Sequence, residues 1–244
     1  MTDTNNKKNE SDKKAKKWMQ KIEKKYDTKL IFVFGEFTDY MYDMFIRQLR
    51  KVEKVRKKDD WITVLIHSTG GDADVAYKIM DVTRRHKCKF WGIVPINAAS
   101  AGAEIAMNMN RLTLGINAYL TAFDTCMGSI SLKNITDFDL KRCKRVKDFN
   151  KVKEALYYSD IAKSELNKMF SERYNEDIIC NLEKLFIQHN SSHETPISFD
   201  QIKETGVTHV NQKQVNDWFH KLTSYFIDGE RKDEFIYKFY QSRV

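Results

Sequence analysis

The chain has 244 residues, of which 41% are hydrophobic and 31% are charged, and its formal net charge is +8 at pH 7. This length and composition are typical of a globular protein with one α/β domain and a strongly charged surface. No run of 18 apolar residues occurs, and no apolar segment follows the N-terminal lysines. A membrane span and a signal peptide are therefore not expected, and we predict a cytoplasmic protein.

The positive charge is concentrated in two lysine-rich segments, one within the first 25 residues and one from Lys141 to Lys153. Basic clusters attract nucleic acid or anionic membranes, but no RNA- or DNA-binding motif accompanies these. We interpret both segments as solvated faces and do not expect a nucleic-acid partner.

The cysteines show no CxxC spacing, which favours reduced thiols over a disulfide framework or a zinc site. They are Cys88, Cys126, Cys143 and Cys180. The sequence predicts no metal and no organic cofactor.

Residues 1–27 form a lysine-rich arm. Its first residues, to about position 14, are polar and predict disorder. From Lys13 to Tyr26 the apolar residues keep helical spacing, which predicts an amphipathic helix.

A short apolar strand from Leu30 to Phe34 opens the domain, and Asp39 is a candidate cap for the helix that follows. The β-branched run from Ile62 to Ile66 predicts a buried strand that ends at the turn Gly70-Gly71. A helix over 73–84 and a strand over 90–94 come next, and small residues then open another helix. This order is a βαβ unit, so the strands are predicted to be parallel.

Ser100 lies in the run Ala98-Ala-Ser-Ala-Gly102, where no neighbouring side chain is large enough to shield it. An acyl-transfer site needs an exposed nucleophile and two fixed N–H donors for the oxyanion. The amides of Gly70 or Gly71 and of Ala101 would supply these donors if the two turns face each other. A tight turn with a packing serine has the same pattern, so the residues alone leave both interpretations open.

The rest of the chain predicts strands and helices in alternation. Strands are expected over 111–114 and 118–123, two helices with apolar stripes over 150–189, a capped helix from Ser198 to Gly206, and a strand over 207–210. Residues 211–244 are predicted to be a helical C-terminal extension.

The pairing of the Gly-Gly turn with Ala-Ala-Ser-Ala-Gly resembles the Clp protease/crotonase superfamily. The segment Ser192-His-Glu-Thr-Pro-Ile-Ser198 is similar to one in the serine dehydrogenase proteinase family, a peptidase family related to ClpP. The resemblance covers roughly residues 28–215, and the peptidase domain is expected over residues 28–210. It implies an α/β fold, a ClpP/crotonase-like spiral of ββα units with a long protruding helix and a helical C-terminal tail.

Carried over residue by residue, the resemblance implies Ser100 as nucleophile, Asp124 as orienting carboxylate and His193 as general base. His189 is the nearest rival of His193. A homo-oligomer acting on peptides or unfolded protein is also implied.

Three alternatives remain open. The first is a serine–lysine dyad like that of signal peptide peptidase relatives, with Lys141, Lys151 or Lys153 as the base. The second is an acyl-coenzyme A enzyme of the crotonase type, and the third is a catalytically silent scaffold.

Overall fold

The computed structural model of the chain describes residues 2–57, 61–123, 126–127, 130–131, 146–188 and 192–228. The strands are β1 (Thr28–Phe37), β2 (Trp61–Gly71), β3 (Phe90–Val94), β4 (Asn97–Ala98), β5 (Arg111–Leu114), β6 (Tyr119–Leu120), β7 (Cys126–Met127), β8 (Ile130–Ser131) and β9 (Val210–Gln212). The helices are α1 (Thr2–Tyr26), α2 (Asp39–Val55), α3 (Ala73–Arg85), α4 (Ala101–Asn108), α5 (Val146–Phe170), α6 (Glu176–Phe186), α7 (Phe199–Glu204) and α8 (Asp217–Asp228).

The strands β1 to β6 and β9 form one curled parallel sheet with β2 at its centre. The order is β6-β4-β2-β3-β5-β9, and β1 also pairs with β2. The first half of β2 lies between β1 and β3, whereas Ser68, near its end, pairs with Ala98 of β4. One long strand therefore changes partners along its length. This change brings the carboxyl end of β2, with its two glycines, beside the segment that leads to Ser100.

The core is apolar on both faces of the sheet. All five residues of β3 are buried, as expected for a central parallel strand covered by helices. Helices α2 and α3 contribute one buried stripe each, which the helical spacing of their apolar residues predicted.

Helices α1 and α8 pack on each other and on the sheet. The Phe226 ring lies 4.7 Å from that of Phe32 and 4.9 Å from that of Phe34, measured between centroids. The Tyr225 hydroxyl donates a hydrogen bond of 2.5 Å to Asp12 Oδ1. The two ends of the described chain therefore contact each other and share the core of the domain.

Several predicted elements have different bounds in the structure. The side chain that caps α2 is Thr38 and not Asp39, because the Thr38 hydroxyl accepts the Met41 N–H. Helix α1 begins at Thr2, well before the predicted start at Lys13. The last strand of the sheet is Val210–Gln212 rather than 207–210, and it runs across the boundary predicted at residue 210.

Other predicted elements are confirmed. Strand β3 has the predicted bounds. Helix α7 follows a capping box between Ser198 and Gln201, and Gly206 comes just after its end with a φ of +97°. Within the described residues, no helix has both the length and the apolar character needed to cross a bilayer.

Candidate active site

Ser100 sits at a sharp turn between β4 and α4, at the carboxyl edge of the sheet. Its backbone has φ 50° and ψ −123°, a conformation that side-chain-bearing residues rarely adopt. The Ser100 carbonyl accepts the N–H groups of Ala103 (2.8 Å) and Glu104 (3.1 Å), so the serine is held at the start of the helix. Strain of this kind costs of the order of 1–3 kcal/mol and is concentrated at functional sites.

Gly70 lies directly against the Ser100 side chain. A Cβ added at Gly70 would lie only 2.6 Å from Ser100 Cβ and 3.1 Å from the Ala99 carbonyl oxygen. The Gly70 φ of +100° is also in the region that favours glycine. Both the space and the backbone conformation therefore require glycine beside the serine.

The backbone amides near Ser100 differ in what they bind. The Gly70 N–H already donates to Ser68 Oγ (3.0 Å), and Ser68 Oγ donates to the Gly35 carbonyl (2.6 Å). Ala101 is the first residue of α4, where an amide has no acceptor inside the helix. The occupied Gly70 amide leaves Gly71 and Ala101 as the candidate oxyanion donors among the three predicted residues.

A hydrogen-bonded path leads from Ser100 toward His193. The Ser100 N–H donates to Thr121 Oγ1 (2.9 Å), just after β6. The preceding residue, Leu120, forms an antiparallel bridge with Ile197, with N···O distances of 2.7 and 3.2 Å. His193, which is half-buried, lies four residues before Ile197 along the same segment. The strand edge that holds Ser100 therefore also holds the segment of the candidate base.

A buried carboxyl group, Glu104, lies one helical turn after Ser100. Its side chain is 2% exposed, and Oε1 has no hydrogen-bond partner among the described residues. Burial and the neighbouring Glu165 raise the pKa of Glu104 well above its ordinary value, while a hydrogen bond from Tyr77 and the charge of His193 act to lower it. His193 is therefore one of the groups whose charge acts on the Glu104 carboxyl.

The other predicted site residues are placed as follows. Asp124, Lys141 and His189 lie outside the described residues. Lys151 is on α5, and its side chain is not among those that the structure describes. Lys153 is on the same helix with an exposed side chain. The structure thus brings Ser100, Gly70 and the His193 segment together.

In the described part of the chain, one group of side chains has metal-ligating atoms close together. The ligand atoms of Glu53, His86 and Cys88 lie within 4.8 Å of one another, an arrangement that the cysteine spacing did not indicate. Both ring nitrogens of His86 are engaged, since Nδ1 accepts the Cys88 N–H (3.1 Å) and Nε2 contacts Glu53 Oε1 (2.9 Å). A metal bound through Nε2 needs a proton on Nδ1, which would then face the Cys88 N–H, so the group fits a metal poorly. Cys88 is buried, Cys180 is exposed, and neither forms a disulfide.

Two residues of the site were not predicted from the sequence. Thr121 reaches Ser100 only through the pairing of distant strands, which leaves no local pattern. Glu104 did carry a signal, because it is an ionisable residue in a helix of mostly small and apolar residues. All residues of this helix are buried, so the Glu104 carboxyl is buried with them.

Comparisons with known proteins bear on the family and the fold of the chain. A family model described as ClpP-like SDH-type serine proteinase matches residues 5–233. Two proteins of Methanocaldococcus jannaschii, both named as uncharacterized, are similar to this chain. MJ0137 is 25% identical over 168 residues, which are 66% of this chain and 57% of that protein. MJ1495 is 23% identical over 167 residues, which are 66% and 56%, so the match spans little more than half of each relative.

Among solved structures, ClpP1 from Listeria monocytogenes has a TM-score of 0.53 and 17% sequence identity to this chain. The similarity covers 81% of this chain and 98% of that one. At this identity the likeness shows the fold, and it confirms the predicted ClpP-like α/β class.

Proposed function

The chain belongs to the family of ClpP-like SDH-type serine proteinases, and from this premise we propose that it is a serine peptidase in which Ser100 is the nucleophile. The geometry of Ser100 is the observation that supports the proposal most. A strained turn at a helix N-terminus, with a glycine packed against the side chain, gives a substrate carbonyl close access to the hydroxyl.

In the proposed mechanism His193 is the general base. Its neutral imidazole takes the Ser100 proton as Ser100 Oγ attacks the scissile carbonyl, and the resulting imidazolium gives that proton to the leaving amine. Water then attacks the acyl-serine while His193 takes its proton, and the imidazolium returns this proton to Ser100 Oγ as the acid product leaves. Asp124 is proposed to orient the imidazole, as the family resemblance implies.

The oxyanion of the tetrahedral intermediate would bind the amides of Ala101 and Gly71. The Ala101 amide opens α4, where the helix dipole favours negative charge. Each well-placed donor of this kind is worth a factor of about 100 to 1,000 in rate. Gly70 contributes space rather than a donor, because its amide is bound to Ser68.

A serine–lysine dyad is the competing mechanism. A lysine base requires a desolvated side chain, and the exposed side chain of Lys153 does not meet this requirement. Of the three candidate lysines, Lys141 and Lys151 remain alternatives to His193.

A fluorophosphonate probe tests the proposal, because it reacts only with an activated serine. We expect the wild type to be labelled, and we expect labelling to be lost in both Ser100→Ala and His193→Ala. The matched control is Lys151→Ala, which should keep the wild-type rate. Labelling that survives in His193→Ala but not in Lys151→Ala would replace the triad with the dyad.

We also propose a homo-oligomer that acts on peptides or unfolded protein. Helix α5 exposes Phe149 and Tyr157, at 42% and 63%, and such exposed aromatic side chains suit burial between subunits. Light scattering at micromolar concentration should give a mass of several chains. A mass of one chain throughout would contradict the oligomer without affecting the assignment of Ser100.

A further inference from the structure

We propose that Thr121 is a positioning residue for the nucleophile: its hydroxyl holds the Ser100 peptide in the strained conformation and couples that peptide to the His193 segment. This inference rests on the proposed function of Ser100 and adds a residue to it.

The strained backbone of Ser100 is held from both sides. A residue persists at φ 50° and ψ −123° only where its surroundings constrain the backbone on both sides. On the carbonyl side, α4 supplies this constraint through the amides of Ala103 and Glu104. On the amide side, the hydrogen bond that the structure shows is the one from Ser100 N–H to Thr121 Oγ1, at 2.9 Å.

The Thr121 hydroxyl is oriented by a hydrogen bond of its own. Thr121 is 4% exposed, so water competes little for its oxygen. Its O–H donates to the carbonyl of Ala122 (3.2 Å), which leaves a lone pair of the same oxygen for the Ser100 N–H. The hydroxyl therefore acts at once as donor and acceptor, which a valine side chain of nearly the same shape cannot do.

Thr121 also lies next to the backbone bridge that leads to the His193 segment. Thr121 follows Leu120, whose backbone exchanges two hydrogen bonds with Ile197. Ile197 is four residues from His193 in the sequence. A shift of the Ser100 peptide away from Thr121 would therefore change the position of the nucleophile relative to the candidate base.

The variants Thr121→Val and Thr121→Ser separate this role from simple packing. Thr121→Val keeps the shape and removes the hydroxyl, whereas Thr121→Ser keeps the hydroxyl. The matched control is Thr113→Val, because the buried Thr113 Oγ1 also accepts an N–H, from Trp91 Nε1 (2.9 Å), and donates, to Asn211 Oδ1 (3.0 Å), but does not contact Ser100.

Two measurements are made on the full chain. The first is the rate of labelling by the fluorophosphonate at saturating probe, together with the probe concentration that gives half the maximal rate. The second is hydrogen exchange at the Ser100 amide, followed by NMR on protein labelled with nitrogen-15 at serine.

We expect Thr121→Val to fold and to be labelled about 100-fold more slowly, because a displacement of about 1 Å at a reacting group has an effect of that size. The probe concentration that gives half the maximal rate should be unchanged. The Ser100 amide of this variant should exchange about tenfold faster, because the hydrogen bond is lost. Thr121→Ser should restore both properties, and Thr113→Val should leave both near the wild-type values.

The positioning role would be overturned if Thr121→Val were labelled at the wild-type rate, or if its Ser100 amide exchanged at the wild-type rate. A folded wild type that is not labelled would instead refute the proposed function. In that case the exchange measurement still decides whether Thr121 holds the Ser100 peptide, since it does not depend on activity.

Discussion

Replacement of Gly70 by alanine tests whether the space beside Ser100 matters for activity. The new Cβ would lie 2.6 Å from Ser100 Cβ, whereas two carbon atoms pack best at about 3.5–4.0 Å. The two atoms must therefore move apart by about 1 Å, and a displacement of this size at the reacting group lowers the rate by about 100-fold. Strain and overpacking should also lower the free energy of unfolding, by about 2–5 kcal/mol in total.

Gly35→Ala is the matched control for this prediction. Gly35 has a φ of +93°, close to that of Gly70, but nothing lies within 4 Å of the position that a Cβ would take there. It therefore carries the backbone strain, about 1–2 kcal/mol, without the collision. Urea denaturation gives the stability of both variants, and fluorophosphonate labelling gives their reactivity.

We expect Gly35→Ala to be labelled near the wild-type rate and Gly70→Ala to be labelled about 100-fold more slowly. A folded Gly70→Ala protein that reacts as fast as Gly35→Ala would contradict this prediction. Such a result would mean that the close approach of Gly70 to Ser100 has no part in the reactivity of the serine.

Two further predictions concern buried titratable groups. Because the pKa of Glu104 is raised in the folded protein, the wild type loses stability as the pH rises above the ordinary value of 4.5. Glutamine does not ionise, so Glu104→Gln should gain free energy of unfolding relative to the wild type, and this gain should be larger at pH 8 than at pH 5. Urea denaturation at the two pH values measures this gain, and an equal gain at both would contradict the prediction. Burial and Arg173 lower the pKa of His209 from 6.5 to about 4, so its contribution to stability is complete above pH 6.5 and should be lost, by up to about 3 kcal/mol, as the pH falls to 4. His209→Gln should therefore have a flatter stability profile than the wild type between pH 6.5 and 4, and parallel profiles would contradict this assignment.

The elements that the sequence predicted well are those whose signal is local. The five apolar residues of β3 and the Ser198 capping box are each contained in a few consecutive positions. The cap of α2 shows the limit of such signals. Thr38 and Asp39 are adjacent and both suit an N-cap, and only the backbone geometry shows that Thr38 accepts the Met41 N–H.

The parts of the site that were not predicted depend on distant segments. The Ser100–Thr121 hydrogen bond joins residues that follow two paired strands, β4 and β6, and β5 pairs with β9 far along the chain. The amide of Gly70 is occupied by the Ser68 hydroxyl, which in turn donates to the Gly35 carbonyl on the neighbouring strand β1. No spacing rule contains this information, because each contact depends on how the curled sheet closes.

Mass spectrometry of the covalent adduct shows directly whether Ser100 is the nucleophile. Folded wild-type protein is reacted with a fluorophosphonate, digested, and searched for a peptide that carries the phosphonyl group, which joins the serine oxygen as fluoride leaves. We predict one modified site, Ser100, and no adduct in Ser100→Ala. An adduct at another serine, or a folded protein with none at Ser100, would contradict the claim that Ser100 is the nucleophile.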